Sequence, residues 1–318
     1  MAERVRWGIL GTGDINRKLL RGARLSDAVD VVAVASRTSE RAAAHAQEHG
    51  IPRSFGSYEA MLDDPGIDAV YISVPNSLHH PWTMTALAAG KHVLCEKPYT
   101  RRPAEVTEAF DAADRAGLVL SEAFMWRHTR QTQRLGELLP QIGTLETIRA
   151  TFAFVLDNPD NIRLRADLDG GSLMDVGCYC VSGSRFVAGE EPVAVFAYQE
   201  VGPSGVDVRL SALLRFPSGV VAEFTSAFTM DHQGLEVIGS AGTIRLPDPW
   251  HNVEGVILLN DAAIRFDPGN PYQDELENMS AAIRGDVDPR LGRDDALGQA
   301  RTIAALYDSA AKGAAVRL

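Results

Sequence analysis

The chain has 318 residues, and at roughly 150 residues per domain this length predicts about two domains. Its composition, 45% hydrophobic and 23% charged, excludes wholesale disorder, which requires low hydrophobicity and high net charge. A formal charge of −11, from 31 Lys and Arg against 42 Asp and Glu, argues against nucleic acid as a partner, because an acidic chain repels phosphates unless it carries a basic stripe.

The first third of the chain alternates short apolar runs with helical patterns. The runs predict strands at 5–10, 29–35, 69–74, 92–95 and 118–121. The patterns between them predict helices at 15–25, 40–49, 57–62, 81–89 and 103–116. Because strands joined by helices of this length pair in parallel, we expect an α/β fold, with a doubly wound Rossmann sheet over residues 1–124.

Strands dominate the rest of the chain. They are predicted at 148–156, 193–201, 206–216, 219–229, 234–239, 243–246 and 256–259, and several are separated by hairpin-type turns. Helical patterns cover 172–188, 271–284 and 293–312. Residues 125–318 are therefore predicted to form an α+β domain with a large open, mostly antiparallel sheet, and the last helix is expected to pack back on the first domain.

The apolar runs and the cysteines indicate where in the cell the protein is located and whether it binds a metal ion. No run approaches the roughly 18 residues of a membrane span, and the start of the chain lacks a signal-peptide pattern, so no membrane partner is expected. Three cysteines, Cys95, Cys178 and Cys180, predict reduced thiols and a cytoplasmic location. The C-x-C spacing suits zinc poorly, and His79-His80 lack an evident third ligand, so no metal site is predicted.

A glycine-rich loop lies between the first strand and the first helix. It reads Gly11-Thr12-Gly13-Asp14-Ile15, with Asn16 where a third glycine is usual. The first glycine permits a tight turn, and the second lets a pyrophosphate approach the helix N-terminus. The loop therefore predicts a dinucleotide site, with a purely structural glycine turn as the alternative.

The end of the second strand indicates which dinucleotide binds. An acidic residue there would bind the ribose 2′-hydroxyl of NAD, but Ser36 and Arg37 occupy the position. Arg37 can pair with a 2′-phosphate and lie against the adenine, which favours NADP(H) over NAD(H). Alternatively, Arg37 is a solvated loop cation.

Two further segments carry groups suited to acid–base chemistry. Glu96-Lys97-Pro98 ends a predicted strand, where open parallel sheets bind ligands, although a loop ion pair would also explain it. Asp175 and Tyr179 are four residues apart in a predicted helix and so share a face. A lysine, an acid and a tyrosine could thus meet at the cofactor. The loop Trp250-His251 is either a substrate lid or an ordinary loop.

These segments together resemble the Gfo/Idh/MocA family of oxidoreductases. The resemblance is carried by the glycine loop, by 73–79 (SVPNSLH), by 89–98 (AGKHVLCEKP), by 170–179 (GGSLMDVGCY) and by 305–309 (ALYDS). It covers essentially the whole chain. Tyr179, where many members have His, is similar to the branch of dihydrodiol dehydrogenases, NADP-linked xylose dehydrogenases and glucose–fructose oxidoreductase.

The resemblance implies roles for particular residues. Lys97 and Tyr179 would flank the reacting carbon, with Asp175 contacting the substrate. The cofactor would contact the glycine loop and a further set of residues, namely Ser36, Arg37, Ser73, Pro75, Asn76, His79, Glu96, Lys97, Trp126 and Arg127. It also implies a homodimer or homotetramer built through the open sheet.

The predicted function is hydride transfer between NADP(H) and a CH–OH group of a sugar or related polyhydroxy compound. Oxidation of an aldose such as xylose or glucose at C1 is favoured. Tyr179 is predicted to act as the acid–base with Lys97 polarising the substrate oxygen, and the reverse assignment stays open. The alternatives are a keto-sugar or dicarbonyl reductase and, in another class, a cofactor-binding sensor without catalysis.

Overall fold

The structure is a computed structural model that describes residues 4–318, so the first three residues of the predicted domain 1–124 lie outside the described residues. The chain forms two compact units. The first contains the described residues up to 100 together with 104–128 and 270–296. The second contains 101–103, 129–269 and 297–318. The chain therefore returns to the first unit after most of the second is complete.

A parallel sheet forms the centre of the first unit. Its strand order is β3-β2-β1-β4-β5-β6, and every neighbouring pair is parallel. The strands are β1 (Val5–Leu10), β2 (Val29–Ala35), β3 (Arg53–Phe55), β4 (Ala69–Ile72), β5 (His92–Glu96) and β6 (Leu120–Ala123). This is the doubly wound order in which chain direction across the sheet reverses between β1 and β4, and ligands bind at that point in such sheets. The predicted Rossmann sheet is confirmed.

The helices follow the pattern of apolar spacing with small shifts at their ends. In chain order they are α1 (Asn16–Ala23), α2 (Ser39–His49), α3 (Tyr58–Leu62), α4 (His79–Ala88), α5 (Pro103–Ala116), α6 (Arg130–Leu138), α7 (Cys178–Ala188), α8 (Pro271–Ile283) and α9 (Arg293–Lys312). Within the first unit α8 packs on α1, where only a glycine fits at Gly22 because a Cβ would overlap the backbone of Tyr272 and Gln273. Trp7 of β1 donates its indole N–H to Ser280 Oγ of α8 at 3.4 Å.

A mixed sheet forms the second unit. Its order is β14-β13-β12-β11-β7-β10-β9-β8-β15. The strands are β7 (Leu145–Ala153), β8 (Ala194–Val201), β9 (Asp207–Arg215), β10 (Val221–Ala227), β11 (His232–Gly239), β12 (Gly242–Leu246), β13 (Val256–Leu259), β14 (Ala262–Arg265) and β15 (Val316–Arg317). β7 and β10 pair in parallel and the other neighbours are antiparallel, so the predicted large, mostly antiparallel sheet is confirmed.

The last helix, α9, is divided between the two units. Its first residues, up to 296, belong to the first unit, where the two guanidinium nitrogens of Arg293 lie 2.6 Å from Asp111 and 2.7 Å from Asp114. The remaining residues of α9 belong to the second unit. The predicted packing of this helix on the first domain stays a prediction.

Three observations concern the membrane, the thiols and metal ions. Among residues 4–318 no helix is both long and apolar enough to cross a bilayer. Cys95, Cys178 and Cys180 are buried and form no disulfide. Over residues 4–318 no group of three or more His, Cys, Asp or Glu side chains could hold a metal ion.

Candidate active site

The glycine loop follows β1, at the point where the strand order of the first sheet reverses. Gly11 has φ +106°, and a Cβ there would come within 2.8 Å of the Ser73 carbonyl oxygen at the end of β4. At Gly13 the corresponding distance is 3.3 Å. The backbone N–H groups of Thr12, Gly13 and Asp14 have no acceptor within the described chain. Unpartnered N–H groups before a helix N-terminus fit the pyrophosphate of a dinucleotide.

Asn16 holds this loop in place through hydrogen bonds of its side chain. It is fully buried, and its amide group donates to the Gly11 carbonyl at 3.0 Å and lies 3.2 Å from His45 Nε2. Ser73 donates its hydroxyl to Asn16 Oδ1 at 2.8 Å. Burial and the neighbouring His49 lower the pKa of His45, which keeps the ring neutral and able to accept. The residue that departs from the glycine pattern thus ties the loop to β4 and α2.

Two arginines stand beyond the end of β2. Arg37 is exposed and has no hydrogen-bonding or ion-pair partner among residues 4–318, whereas Ser36 is buried and donates its backbone N–H to Phe55. Arg41 extends from the first turn of α2 to Thr12 of the glycine loop, with 3.4 Å between Nη2 and Oγ1. Two guanidinium groups suit a 2′-phosphate. Sequence reasoning missed Arg41, which its spacing of four residues from Arg37 at a helix start could have indicated.

Glu96 and Lys97 lie at the carboxyl end of β5, next to β4 in the sheet. The Glu96 carboxylate accepts the Tyr71 hydroxyl through Oε1 and the Lys97 backbone N–H through Oε2, the latter at 3.2 Å. Burial, with Glu96 close by, raises the pKa of Tyr71 well above its usual value, so Tyr71 stays a donor. This pair of bonds fixes the backbone from which the half-buried Lys97 side chain projects.

His79 supports the same turn. Its Nδ1 lies 2.9 Å from the Pro98 carbonyl oxygen and its Nε2 lies 2.9 Å from that of Val74, and the ring is 1% exposed. Burial lowers the pKa of His79. The ring therefore joins the turn after β4 to the turn after β5. Its predicted place beside the nicotinamide stays a prediction.

The other predicted cofactor residues of this unit lie at element ends. Pro75 and Asn76 precede and begin a single 3-10 turn, Asn76–Leu78. Trp126 is 1% exposed, and Arg127 pairs with Asp295 at 3.0 Å. Contacts of these residues with a cofactor stay predictions.

A buried carboxyl near Glu96 escaped sequence analysis. Glu275 of α8 is 1% exposed, and neither carboxylate oxygen has a hydrogen-bond partner among the described residues. Burial, with the nearby charge of Glu96, raises the pKa of Glu275 well above its usual value. Burial therefore favours the neutral acid form of Glu275. The helical spacing of residues around Glu275 did not indicate that this carboxyl group is buried.

A pH-dependent stability follows from this neutral acid. An unfolded glutamate ionises near pH 4.3, whereas folded Glu275 keeps its proton to higher pH. Above the unfolded pKa the native state binds more protons, so the free energy of unfolding falls as pH rises towards the folded pKa. We expect Glu275→Gln to lose this part of the pH dependence. Urea midpoints of both proteins at pH 5 and pH 8 measure it, and equal pH slopes would contradict the neutral acid.

In the second unit, Asp175 lies on a π-helical turn, Leu173–Gly177, that leads directly into α7. The turn is defined by the Cys178 N–H bonding to the Leu173 carbonyl, five residues back. Arg163 holds the carboxylate, with 2.6 Å from Nε to Asp175 Oδ2. The predicted helix over 172–188 is therefore confirmed with a π-turn at its start, a kind of turn that recurs at functional sites.

Tyr179, in the first turn of α7, is part of an aromatic cluster. Its ring centroid lies 5.2 Å from that of Phe152 and 5.9 Å from that of Trp250, both edge-on, and the residue is 8% exposed. Trp250 is fully buried and donates its indole N–H to the Thr151 carbonyl at 2.9 Å. Of the two interpretations of this loop, the burial of Trp250 favours an ordinary loop over a lid. His251 beside it is partly exposed.

The sequence and the fold were compared with those of known proteins. Residues 5–124 match an oxidoreductase family, GFO/IDH/MocA, described by its NAD-binding Rossmann fold, and residues 136–245 match the C-terminal domain of the same family. A D-xylose 1-dehydrogenase (NADP+) of Haloferax volcanii is 39% identical over 323 residues, which cover 98% of this chain and 99% of that protein.

Solved structures show the same likeness. An aldose–aldose oxidoreductase from Caulobacter crescentus, solved with glycerol, has a TM-score of 0.92 and 29% identity, covering 99% of this chain and 100% of the other. A 3-ketoreductase from Actinomadura kijaniata, solved with NADP and TDP-benzene, has a TM-score of 0.90 and 28% identity, covering 96% and 98%. The likeness extends over nearly the whole chain.

Proposed function

We propose that this chain, which belongs to the Gfo/Idh/MocA family of oxidoreductases, exchanges hydride between NADP(H) and a sugar CH–OH group, with oxidation of an aldose at C1 as the favoured reaction. The family inferred from the glycine loop, the Glu-Lys-Pro turn and the tail is thereby confirmed. The favoured substrate is supported by the two relatives whose names state an aldose, the xylose dehydrogenase and the aldose–aldose oxidoreductase.

The observation that carries the proposal is the carboxyl edge of the first sheet. There the glycine loop follows β1, Ser73 follows β4 and Lys97 follows β5, three strands that are adjacent in the sheet. A dinucleotide cradle and a lysine on one edge suit a dehydrogenase, because the reacting carbon must approach the cofactor and a charged group together.

The residues divide into those that hold the cofactor and those that act on the substrate. NADP+, when bound, supplies the hydride acceptor. Gly11 to Ile15 bind its pyrophosphate, Arg37 and Arg41 bind its 2′-phosphate, and the nicotinamide half is held by residues at the strand ends and the crossover, Ser73, Pro75, Asn76, His79, Glu96, Trp126 and Arg127.

On the substrate side, Tyr179 takes the proton from the reacting hydroxyl, and Lys97 polarises the same oxygen. Asp175, oriented by Arg163, accepts a hydrogen bond from a substrate hydroxyl. In support, solved structures of the Actinomadura ketoreductase include variants with a lysine changed to Ala or Glu and a tyrosine changed to Phe.

The assignment of NADP gives a direct prediction at Arg37. Replacing this exposed arginine by Asp places a carboxylate against the 2′-phosphate, so Arg37→Asp should raise KM for NADP+ at least about tenfold, or about 1.4 kcal/mol in binding. KM for NAD+, which lacks that phosphate, should not rise. Steady-state kinetics with both cofactors measure this, and an unchanged KM for NADP+ would refute the role of Arg37.

A substrate panel tests the function itself. Aldoses and polyols with NADP+, and keto-sugars with NADPH, are compared at matched concentrations. The highest kcat/KM is expected for an aldose such as xylose or glucose. Preference for a keto-sugar would support the second candidate, a reductase, which the similarity to the Actinomadura 3-ketoreductase favours. NADPH binding without any turnover would support a sensor instead.

The open sheet supports a further proposal about assembly. Its outer face exposes Phe196, Tyr198 and Leu213, at 43%, 71% and 45%, around a groove of about 460 Å³. Exposed aromatic and aliphatic side chains grouped on one face favour a protein interface. We propose a homodimer or homotetramer through this face, to be measured by light scattering. A cytoplasmic location is proposed because the three cysteines are buried and form no disulfide.

A further inference from the structure

The segment that carries Asp175 and Tyr179 begins with backbone that needs a hydrogen-bond acceptor from another element. Gly171 has φ +120°, a conformation that side chains disfavour, and the π-turn Leu173–Gly177 follows at once. The first N–H groups of a helix have no acceptor inside it, so something else must accept them. Here that acceptor comes from a different element of the same unit.

Asp207, the first residue of β9, provides it. Its Oδ2 accepts the Leu173 backbone N–H at 2.7 Å and the Ser172 hydroxyl at 2.8 Å. Its Oδ1 accepts the Tyr307 hydroxyl of α9 at 2.8 Å. The residue is 3% exposed, so these bonds are shielded from water, and bonds to a charged acceptor are the stronger kind. A Cβ at Gly171 would overlap Asp207 Oδ1, which explains the glycine there.

The same cluster extends to the chain that follows Lys97. Arg101, four residues after Lys97, lies 5.1 Å above the Tyr307 ring and pairs with Asp169 at 3.1 Å. Arg102 pairs with the same carboxylate at 2.8 Å. Asp169 directly precedes the two glycines that lead into the π-turn. The segment that leads into the π-turn is therefore held at both ends. Asp169 is held by ion pairs, and Ser172 and Leu173 are held by hydrogen bonds to Asp207.

We propose that Asp207 is a positioning residue that sets the π-turn and hence the placement of Asp175 and Tyr179 for reaction. The inference rests on the proposed roles of those two residues. A displacement of about 1 Å in a reacting group can cost a factor of about 100 in rate. The effect of losing Asp207 therefore belongs in the chemical step and not in cofactor binding.

The test compares two substitutions on the wild-type background. Asp207→Ala removes every bond to the turn and should lower kcat for the sugar about 100-fold. Asp207→Asn keeps them, because the amide oxygen accepts from Leu173 and Ser172 while the amide nitrogen donates to Tyr307. It should restore kcat to within about fivefold of the wild type, the usual value of one neutral hydrogen bond.

Further measurements separate positioning from a general loss of folding. Leu214→Ala, at a fully buried residue of the same strand, serves as the destabilised control and should keep kcat per folded molecule. In Asp207→Ala, KM for NADP+ should stay unchanged and the primary deuterium isotope effect on kcat/KM should rise, as the misplaced groups slow hydride transfer.

The outcomes are distinct. If the wild type oxidises or reduces sugars but Asp207→Ala keeps its kcat and its isotope effect, the positioning role is overturned. If no sugar is turned over by the wild type, the proposed function fails. The positioning claim then stands or falls on amide hydrogen exchange over 172–179, which should accelerate in Asp207→Ala and not in Asp207→Asn.

Discussion

Tyr179→Phe is expected to lower kcat by a factor of about 10²–10⁴ while leaving the fold and NADPH binding intact. The substitution removes only the hydroxyl. The ring keeps its edge contacts with Phe152 and Trp250, at 5.2 and 5.9 Å between centroids. The loss therefore reports proton transfer and not packing.

The experiment has a natural control in Tyr198→Phe, at a tyrosine 71% exposed on the outer face of the sheet. Single-turnover kinetics and NADPH fluorescence titration, done on both variants, separate chemistry from cofactor binding. Full turnover by Tyr179→Phe would exclude this residue as the proton carrier and would move the role to Lys97.

Lys97→Met should have an effect of the same size, about 10²–10⁴ in kcat, because it removes a cation at the edge of the sheet but keeps an unbranched side chain. The bonds of Glu96 to the Lys97 backbone and to Tyr71 do not involve the Lys97 ammonium group, so the turn should persist. Lys312→Met, at an exposed residue near the end of α9, is the matched control.

Lys97→Arg decides between the two assignments of the proton carrier. Arginine retains the charge but does not give up a proton in proteins. If Lys97 only polarises the substrate oxygen, Lys97→Arg should keep more activity than Lys97→Met. Equal inactivity of the two variants, together with an active Tyr179→Phe, would make Lys97 the acid–base.

The elements that sequence predicted best are those with a clear apolar run or a clear helical spacing of apolar residues. The bounds of β1, β2, α5 and α9 agree with prediction to the residue. β3 was missed because Arg53–Phe55 is short and has only one apolar residue. The parallel pairing of β7 with β10 was also missed, since register between distant strands leaves no local pattern.

The residues of the candidate site also divide into those that the sequence could indicate and those that it could not. Lys97, Asp175 and Tyr179 could be proposed because reactive residue types stood at strand or helix ends. Asn16, which stands where a third glycine is usual, is buried and ties the glycine loop to Ser73 by hydrogen bonds, a role that the sequence did not indicate. Glu275 and Asp207 come from elements far along the chain, so only the folded arrangement identifies them.

The return of residues 270–296 to the first unit has a consequence for biosynthesis. Trp7 donates a hydrogen bond to Ser280, and Ser121 donates one to the Leu291 carbonyl at 2.9 Å, so this unit contains contacts between segments 273 and 170 residues apart in the chain. Translation must reach Ile283 before α8 is complete. Domains usually fold as units from the N-terminus during synthesis. Because residues 270–296 belong to the first unit, we expect this unit to complete its fold only after α8 has been synthesised.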